Sequence, residues 1–408
     1  MKKEFLSIVI TGHVDHGKST LIGRLLLDTN SLPEDKIREI KKISLQLGKE
    51  SGLAFITDHL KEERQQDMTI DTTQIFFKSQ KRNYVIIDSP GHVEFIKNML
   101  TGATLAEAAV LIVDAKAGVE EQTRRHAYLL GMLGIKNIIA IFNKMDLVGY
   151  AQSRFEEVKA NLLLFSQALN IKPAFFIPAS AREGENISKR SSLMPWYKGL
   201  CLLEALDSLK PEEKIENLPL RLPIQDIYEI AGKKIIVGKI LSGTICSGQR
   251  VRLYPSAIET CIDSLQIFGR KIKKASAGKN IGLTLAEDNL AQRGEVIVDS
   301  RDMLEPKTSF KADIFWMVDT PLKLNSPLTF RLATQEVDCV VEKIEKRIDS
   351  STFKILEEDA KELKLNEAGE VIFKTARPIV LEKFDFIAEL GRFVIEQGLH
   401  LQGTGIIT

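Results

Sequence analysis

The sequence predicts an α/β domain built on a mostly parallel sheet, followed by two small antiparallel β-barrels. Three observations predict it. Up to about residue 210, short apolar runs alternate with amphipathic stretches, the pattern of βα units. From residue 218 onward the period changes to short β-rich segments broken by Gly, Asn or Pro, a spacing typical of small barrels. A glycine-rich turn, Gly12-His-Val-Asp-His-Gly-Lys-Ser19, falls between the first apolar run and the first amphipathic one.

Taken in order, strands of the first domain are predicted at 6–10, 84–87, 109–113, 138–142 and 175–178, each a short apolar run rich in Ile, Val or Phe. Helices are predicted at 19–27, at 33–47 with Pro33 in the first turn, at 122–133 and at 154–169. In the second part, β segments fall at 224–230, 234–241, 250–254, 261–268, 281–285 and 295–298. A third set runs through 312–318, 328–333, 339–344, 370–374 and 392–395. The charged stretch 302–307 separates the two sets, giving three expected domains: 1–212, 218–303 and 308–408.

Fifty-six Lys and Arg against 55 Asp and Glu leave a net charge of +1, so no overall basic or acidic excess points at nucleic acid, membrane or polyanion. With 44% hydrophobic residues, the 408-residue chain has enough apolar side chains for sizeable cores. Four Cys without CxxC spacing argue against zinc, iron–sulfur or a disulfide framework, and fit a reducing compartment. No signal-like segment or membrane-length apolar run is found. The expectation is a cytoplasmic, soluble protein.

The turn at Gly12 matches GxxxxGK[ST], the P-loop, in the strand-then-helix context that this motif requires. Chance would supply the motif in on the order of one chain in a hundred of this length, before placement is considered. Glycines let successive backbone N–H groups converge on phosphate oxygens, with the positive end of the helix behind them. Gly12, His13, Val14, Asp15, His16, Gly17, Lys18, Ser19 and Thr20 are therefore the expected phosphate-binding segment. Lys18 bridges the β- and γ-phosphates, and the Ser19 hydroxyl ligates Mg²⁺. Reading His13, Asp15 and His16 as metal ligands is disfavoured, because three residues in one turn lack a converging spacing. Asp88, at the end of an apolar strand in Asp88-Ser-Pro-Gly91, is placed to hold Mg²⁺, and the Gly91 N–H to approach the γ-phosphate. Asn143-Lys144-Met-Asp146 follows another strand, where the Asp146 carboxylate can accept from N1–H and the 2-amino group of guanine, donors that adenine lacks in that arrangement. Ser180 and Ala181 supply a loop whose backbone can donate to guanine O6. GTP and GDP with Mg²⁺ are the expected ligands.

The segments Gly-His-Val-Asp-His-Gly-Lys-Ser, Asp-Ser-Pro-Gly-His and Asn-Lys-Met-Asp resemble those of translation-factor-type GTPases, a family that contains elongation factor Tu and the GTPase subunit of sulfate adenylyltransferase. The resemblance covers the whole chain. It implies a P-loop GTPase domain followed by two β-barrels. It also implies that Thr69 closes over the γ-phosphate and completes the Mg²⁺ shell, and that His92 positions the attacking water. One departure stands out: the family's usual Gly-Ile before Thr-Ile-Asp is here Asp67-Met68, which bears on switch closure. Gln122-Thr-Arg-Arg-His126 resembles the sulfate branch, and Phe315-Trp-Met317 and Gly391-Arg-Phe-Val-Ile395 more loosely so. The first expectation is thus the large GTPase subunit of a sulfate adenylyltransferase, partnered by a small ATP-sulfurylase-type subunit, with no membrane or nucleic-acid partner. The alternative is an elongation factor 1-alpha/Tu-type GTPase that delivers aminoacyl-tRNA to the ribosome.

Overall fold

Runs of β-branched and aromatic residues buried on both faces build the sheet that positions the nucleotide motifs. The structure, a computed structural model, describes residues 5–13, 15–32, 38, 53, 73–88, 106–132, 134–168, 171–209, 215–230, 232–287, 291–398 and 400–408. It divides into two units, Met1–Pro211 and Glu212–Thr408. The first contains, in chain order, β1 (Phe5–Gly12), α1 (Lys18–Asp28), β2 (Thr73–Lys78), β3 (Asn83–Asp88), β4 (Ala108–Asp114), α2 (Glu121–Met132), β5 (Asn137–Asn143), α3 (Gln152–Ala168), β6 (Phe175–Pro178) and α4 (Leu202–Ser208). The sheet order is β2-β3-β1-β4-β5-β6. All pairings are parallel except β2 with β3. Every residue of β4 is buried, as expected of a central parallel strand covered on both faces. Leu21, Leu25 and Leu26 of α1 join Ile8, Ile10, Ile86 and Val110 in one core. Because β1 lies between β3 and β4, its carboxyl end opens at the point where chain direction across the sheet reverses, the place where open α/β sheets bind ligands.

Apart from the helix expected at 33–47, the expected strands and helices of this unit are present, with two additions. Strand β2 and helix α4 were not foreseen. Helix α4, with seven residues, is too short for a 3.6-residue period, and its start is fixed by Glu204, whose carboxylate accepts from the Cys201 N–H. The helix expected at 33–47 lies outside the described residues apart from Arg38.

The second unit begins with β7 (Leu222–Ile230), β8 (Lys233–Lys239), β9 (Thr244–Cys246), β10 (Arg250–Tyr254), β11 (Ile258–Ile267), β12 (Arg270–Ile272), β13 (Lys274–Ser276), β14 (Asn280–Leu285) and β15 (Val296–Asp299). Strands β10, β15, β7, β8, β14 and β11 close on themselves as a six-stranded barrel. It is followed by β16 (Lys307–Trp316), β17 (Leu322–Lys323), β18 (Leu328–Leu332), β19 (Gln335–Asp349), β20 (Ile355–Ala360), β21 (Glu362–Leu363), β22 (Glu367–Ile379), the short α5 (Ala388–Gly391), β23 (Arg392–Gln397) and β24 (His400–Ile407). Here β18, β23, β24, β16, β22 and β19 close the second barrel. Closure removes the sheet edges that would otherwise template aggregation. Leu241, Tyr254, Val296 and Val298 of the first barrel share a core with Phe330, Phe373 and Phe393 of the second. In the same unit the buried Arg221 guanidinium donates to Glu382 Oε1 at 2.8 Å and to Asp302 Oδ2 at 3.1 Å.

Candidate nucleotide site

The turn after β1 is shaped by two glycines that nothing larger could replace. Gly12 has φ +155°, and a Cβ there would lie 2.5 Å from the Ile112 carbonyl oxygen. Gly17 has φ +91°, and its Cβ would meet Asn143 Nδ2 at the same distance. Between them, Lys18 Nζ donates to Gly12 O at 2.6 Å and His13 O at 3.0 Å, so the ammonium lies folded over the loop. This cradle, with helix α1 beginning at Lys18, has the form of a phosphate site.

His16 is buried, with Nδ1 3.2 Å from Ile112 O and Nε2 2.8 Å from Glu120 Oε2. His13 Nδ1 stands 3.9 Å from the same carboxylate oxygen. The two histidines thus converge on Glu120 and not on Asp15. Nothing in the local sequence marks Glu120; the sheet brings it there from the segment before α2.

On the base side, Asn143 ends β5 and ties two loops together. Its Nδ2 donates to His16 O at 2.8 Å, and its Oδ1 accepts from Ala181 N at 2.9 Å. Ser180 Oγ donates to Asp146 Oδ1 at 2.6 Å, and among the described residues no hydrogen bond engages Oδ2. Lys144 Nζ lies 3.1 Å from Asp114 Oδ2. Burial pushes the Asp114 carboxyl up, but the Lys144 ammonium and the Ala117 and Lys116 N–H groups overcome it and hold the group below the usual carboxylate range. Arg24 of α1 donates to Ala181 O at 3.1 Å and Arg182 O at 2.6 Å, fixing the loop after β6 to the helix. A small cavity lined by Thr20, Asn143, Lys144, Asp146, Leu147 and Arg182 results. The Ser180 and Ala181 N–H groups, expected as donors to guanine O6, already donate to Glu185 O and Asn143 Oδ1. The Ser180 Oγ holds Asp146, and the Ala181 N–H holds Asn143. Asp114, Glu120 and Arg24 were missed in the sequence, because each acts across the sheet and not within a motif.

Ser19 stands in the first turn of α1, and Asp88 ends β3, the strand next to β1. Hydroxyl and carboxylate oxygens suit Mg²⁺, so the donor types fit the expected ion. The Asp88 side chain, Val14, Thr69, Gly91, His92 and the Asp67-Met68 departure lie outside the described residues.

Residues 3–212 match the elongation factor Tu GTP binding domain, and residues 309–408 match the GTP-eEF1A C-terminal domain-like family. The chain belongs to the elongation factor Tu/1-alpha family of GTPases. It is 40% identical to elongation factor 1-alpha of Pyrococcus furiosus, over 100% of this chain and 98% of that one. To elongation factor 1-alpha of Methanocaldococcus jannaschii it is 38% identical, over 97% and 95%. An overlay on sup35 complexed with GDP covers 100% of this chain and 94% of that one, at 24% identity and a TM-score of 0.47. As a member of this GTPase family it binds GTP and GDP and hydrolyses GTP.

The elongation factor relatives overturn the sulfate adenylyltransferase expectation, and with it the small ATP-sulfurylase-type partner. Several of the residues that pointed there are packing residues, whereas Gln122, Arg124, Arg125, Arg392 and Val394 are half-buried. Phe315, Trp316 and Met317 are buried, as are Phe393 and Ile395. Thr123 and His126 are buried on α2. The identities of the buried ones answer to the protein's own interior. Among the described residues no helix is long and apolar enough to cross a membrane.

Proposed function

We propose that this chain is an elongation factor 1-alpha-type GTPase that carries aminoacyl-tRNA to the ribosome in the cytoplasm, with domains 1–212, 218–303 and 308–408. The observation that carries the reading is the end-to-end similarity to elongation factor 1-alpha, at 40% identity. The geometry supports the nucleotide half of it. The loop from Gly12 to Thr20, including Val14, wraps the phosphates, and Lys18 swings from the loop carbonyls to the β- and γ-phosphates. Asp146, braced by Ser180, offers its other oxygen to guanine. Bound Mg²⁺ supplies charge neutralisation at the phosphates, with Ser19, Thr69 and Asp88 as the residues that hold it. Gly91 meets the γ-phosphate and His92 orients water.

The test is protection of the aminoacyl ester. With GTP, the chain should slow spontaneous hydrolysis of aminoacyl-tRNA, with GDP much less, and Lys18→Ala should abolish the protection. Equal hydrolysis with and without the GTP-loaded chain would sink the reading.

A further inference from the structure

Two acceptors face one buried imidazole. His16 has 3% of its side chain exposed, its Nδ1 stands 3.2 Å from the Ile112 carbonyl oxygen, and its Nε2 stands 2.8 Å from Glu120 Oε2. A carbonyl and an ionised carboxylate accept hydrogen bonds and donate none. A neutral imidazole carries one N–H, so when Nδ1–H donates to Ile112 O the lone pair of Nε2 is aimed at the anion. That contact stands only with a cation held between nitrogen and oxygen. A proton can fill the place, and so can a metal ion.

The third group decides between them. His13 Nδ1 lies 3.9 Å from the same Glu120 oxygen, and the two imidazole rings are 5.2 Å apart and tilted by 42°. One nitrogen of each histidine and one carboxylate oxygen of Glu120 lie within 4.8 Å of one another. A proton shared by His16 and Glu120 has no use for a second imidazole, whereas a metal ion takes all three groups. Ligands bonded at about 2.0–2.1 Å to a tetrahedral ion stand about 3.3 Å apart from one another. The distances of 2.8 and 3.9 Å to Glu120 Oε2 bracket that value. A carbonyl on one ring nitrogen, with the other left to the ion, is also how metal-binding histidines are oriented. The His13 and Glu120 side chains are 35% and 42% exposed, so an ion from solvent reaches the group while His16 is fixed beneath it. Two imidazoles and a carboxylate suit Zn²⁺, and they do not suit Mg²⁺, which takes oxygen.

We infer that His13, His16 and Glu120 form a zinc site with its fourth position open to water, clamping the phosphate-binding turn to the segment ahead of α2. The inference goes beyond the elongation reading, because it uses neither the guanine cavity nor tRNA, and the ion is separate from the Mg²⁺ of the nucleotide.

Titration of Zn²⁺ into the full GDP-loaded chain in Mg²⁺ buffer, against a chromogenic zinc chelator, tests it. The parent should take up about one equivalent. Glu120→Gln and His13→Asn should each weaken uptake by more than the about 10–100-fold that losing a group which merely orients a ligand costs. Glutamine keeps the size of Glu120 at a half-exposed position, so that variant retains the parent fold. Co²⁺ in place of Zn²⁺ should give the visible d–d bands of a four-coordinate ion, without a thiolate charge-transfer band. Parent-like affinity in either variant overturns the inference, and so does a thiolate band, which would put the ion on a cysteine. Failure of the parent to take up Zn²⁺ overturns it equally, leaving a proton as the cation between His16 and Glu120.

Discussion

Asp146 shows how much one carboxylate can decide. Ser180 Oγ already engages Oδ1, so the side chain is held with its second oxygen towards the base cavity. In Asp146→Asn, the amide can keep its oxygen towards Ser180 and turn its N–H₂ towards the base. Guanine then meets donor against donor, whereas xanthine presents a 2-oxo acceptor. GDP affinity should fall about a hundredfold or more and xanthosine diphosphate affinity should rise, as competition against labelled nucleotide would report. A variant that still prefers GDP would remove Asp146 from base reading. This residue was legible in the sequence because Asn-Lys-x-Asp is contiguous and follows a strand. Ser180, 34 positions away, was found as part of the loop after the next strand, and the folded chain adds that its Oγ braces Asp146. Glu120 and Asp114 were not legible, since only the folded sheet sets them beside His16 and Lys144.

Among the elements, the ladder of β16, β22 and β19 carries a charge pattern with a pH signature. Asp313 of β16 sits opposite Glu370 of β22, a like-charge cross-strand pair. Burial, then the Glu370 carboxylate, raises the Asp313 pKa to about 6, against the opposing pull of Lys311 and Lys346. An acid whose pKa is raised by folding favours the folded state when protonated. Its contribution is therefore full below the unfolded value near 4, and is lost as pH climbs through about 6. Asp313→Asn should stabilise the protein at pH 7 by on the order of 2 kcal/mol and flatten the stability profile between pH 4 and 6. Chemical denaturation of parent and variant across that range checks it; parallel profiles would contradict the assignment. The sequence located β16 by its apolar alternation but placed β19 only at 339–344, whereas the strand runs Gln335–Asp349. Register shifts between Val341 and Lys343 and between Ile344 and Lys346 break the alternation that a sequence reading follows. Three-residue strands such as β9, β12 and β13 have too few residues to show a period at all.

For the molecule as a whole, the two-barrel unit is joined by a buried cation. Arg221 precedes β7, Asp302 follows β15, and Glu382 follows β22, so one guanidinium with 5% of its side chain exposed bonds to acids from both ends of the unit. Removing one member of such a group strands the others without a counter-charge, at a cost of about 3–5 kcal/mol. Arg221→Ala should lower the unit's unfolding free energy by that order, and Lys at the same site should rescue little, lacking the planar fork. A melting curve unchanged by Arg221→Ala would show the group to be energetically idle. The sequence displayed two sets of strands and a charged boundary at 302–307, but not that a residue of that boundary faces Arg221. The shared ion has a calorimetric consequence. Two barrels that hold one charge in common cannot come apart one after the other without exposing it, so the heat absorbed by Glu212–Thr408 should arrive as a single peak whose van't Hoff and calorimetric enthalpies agree.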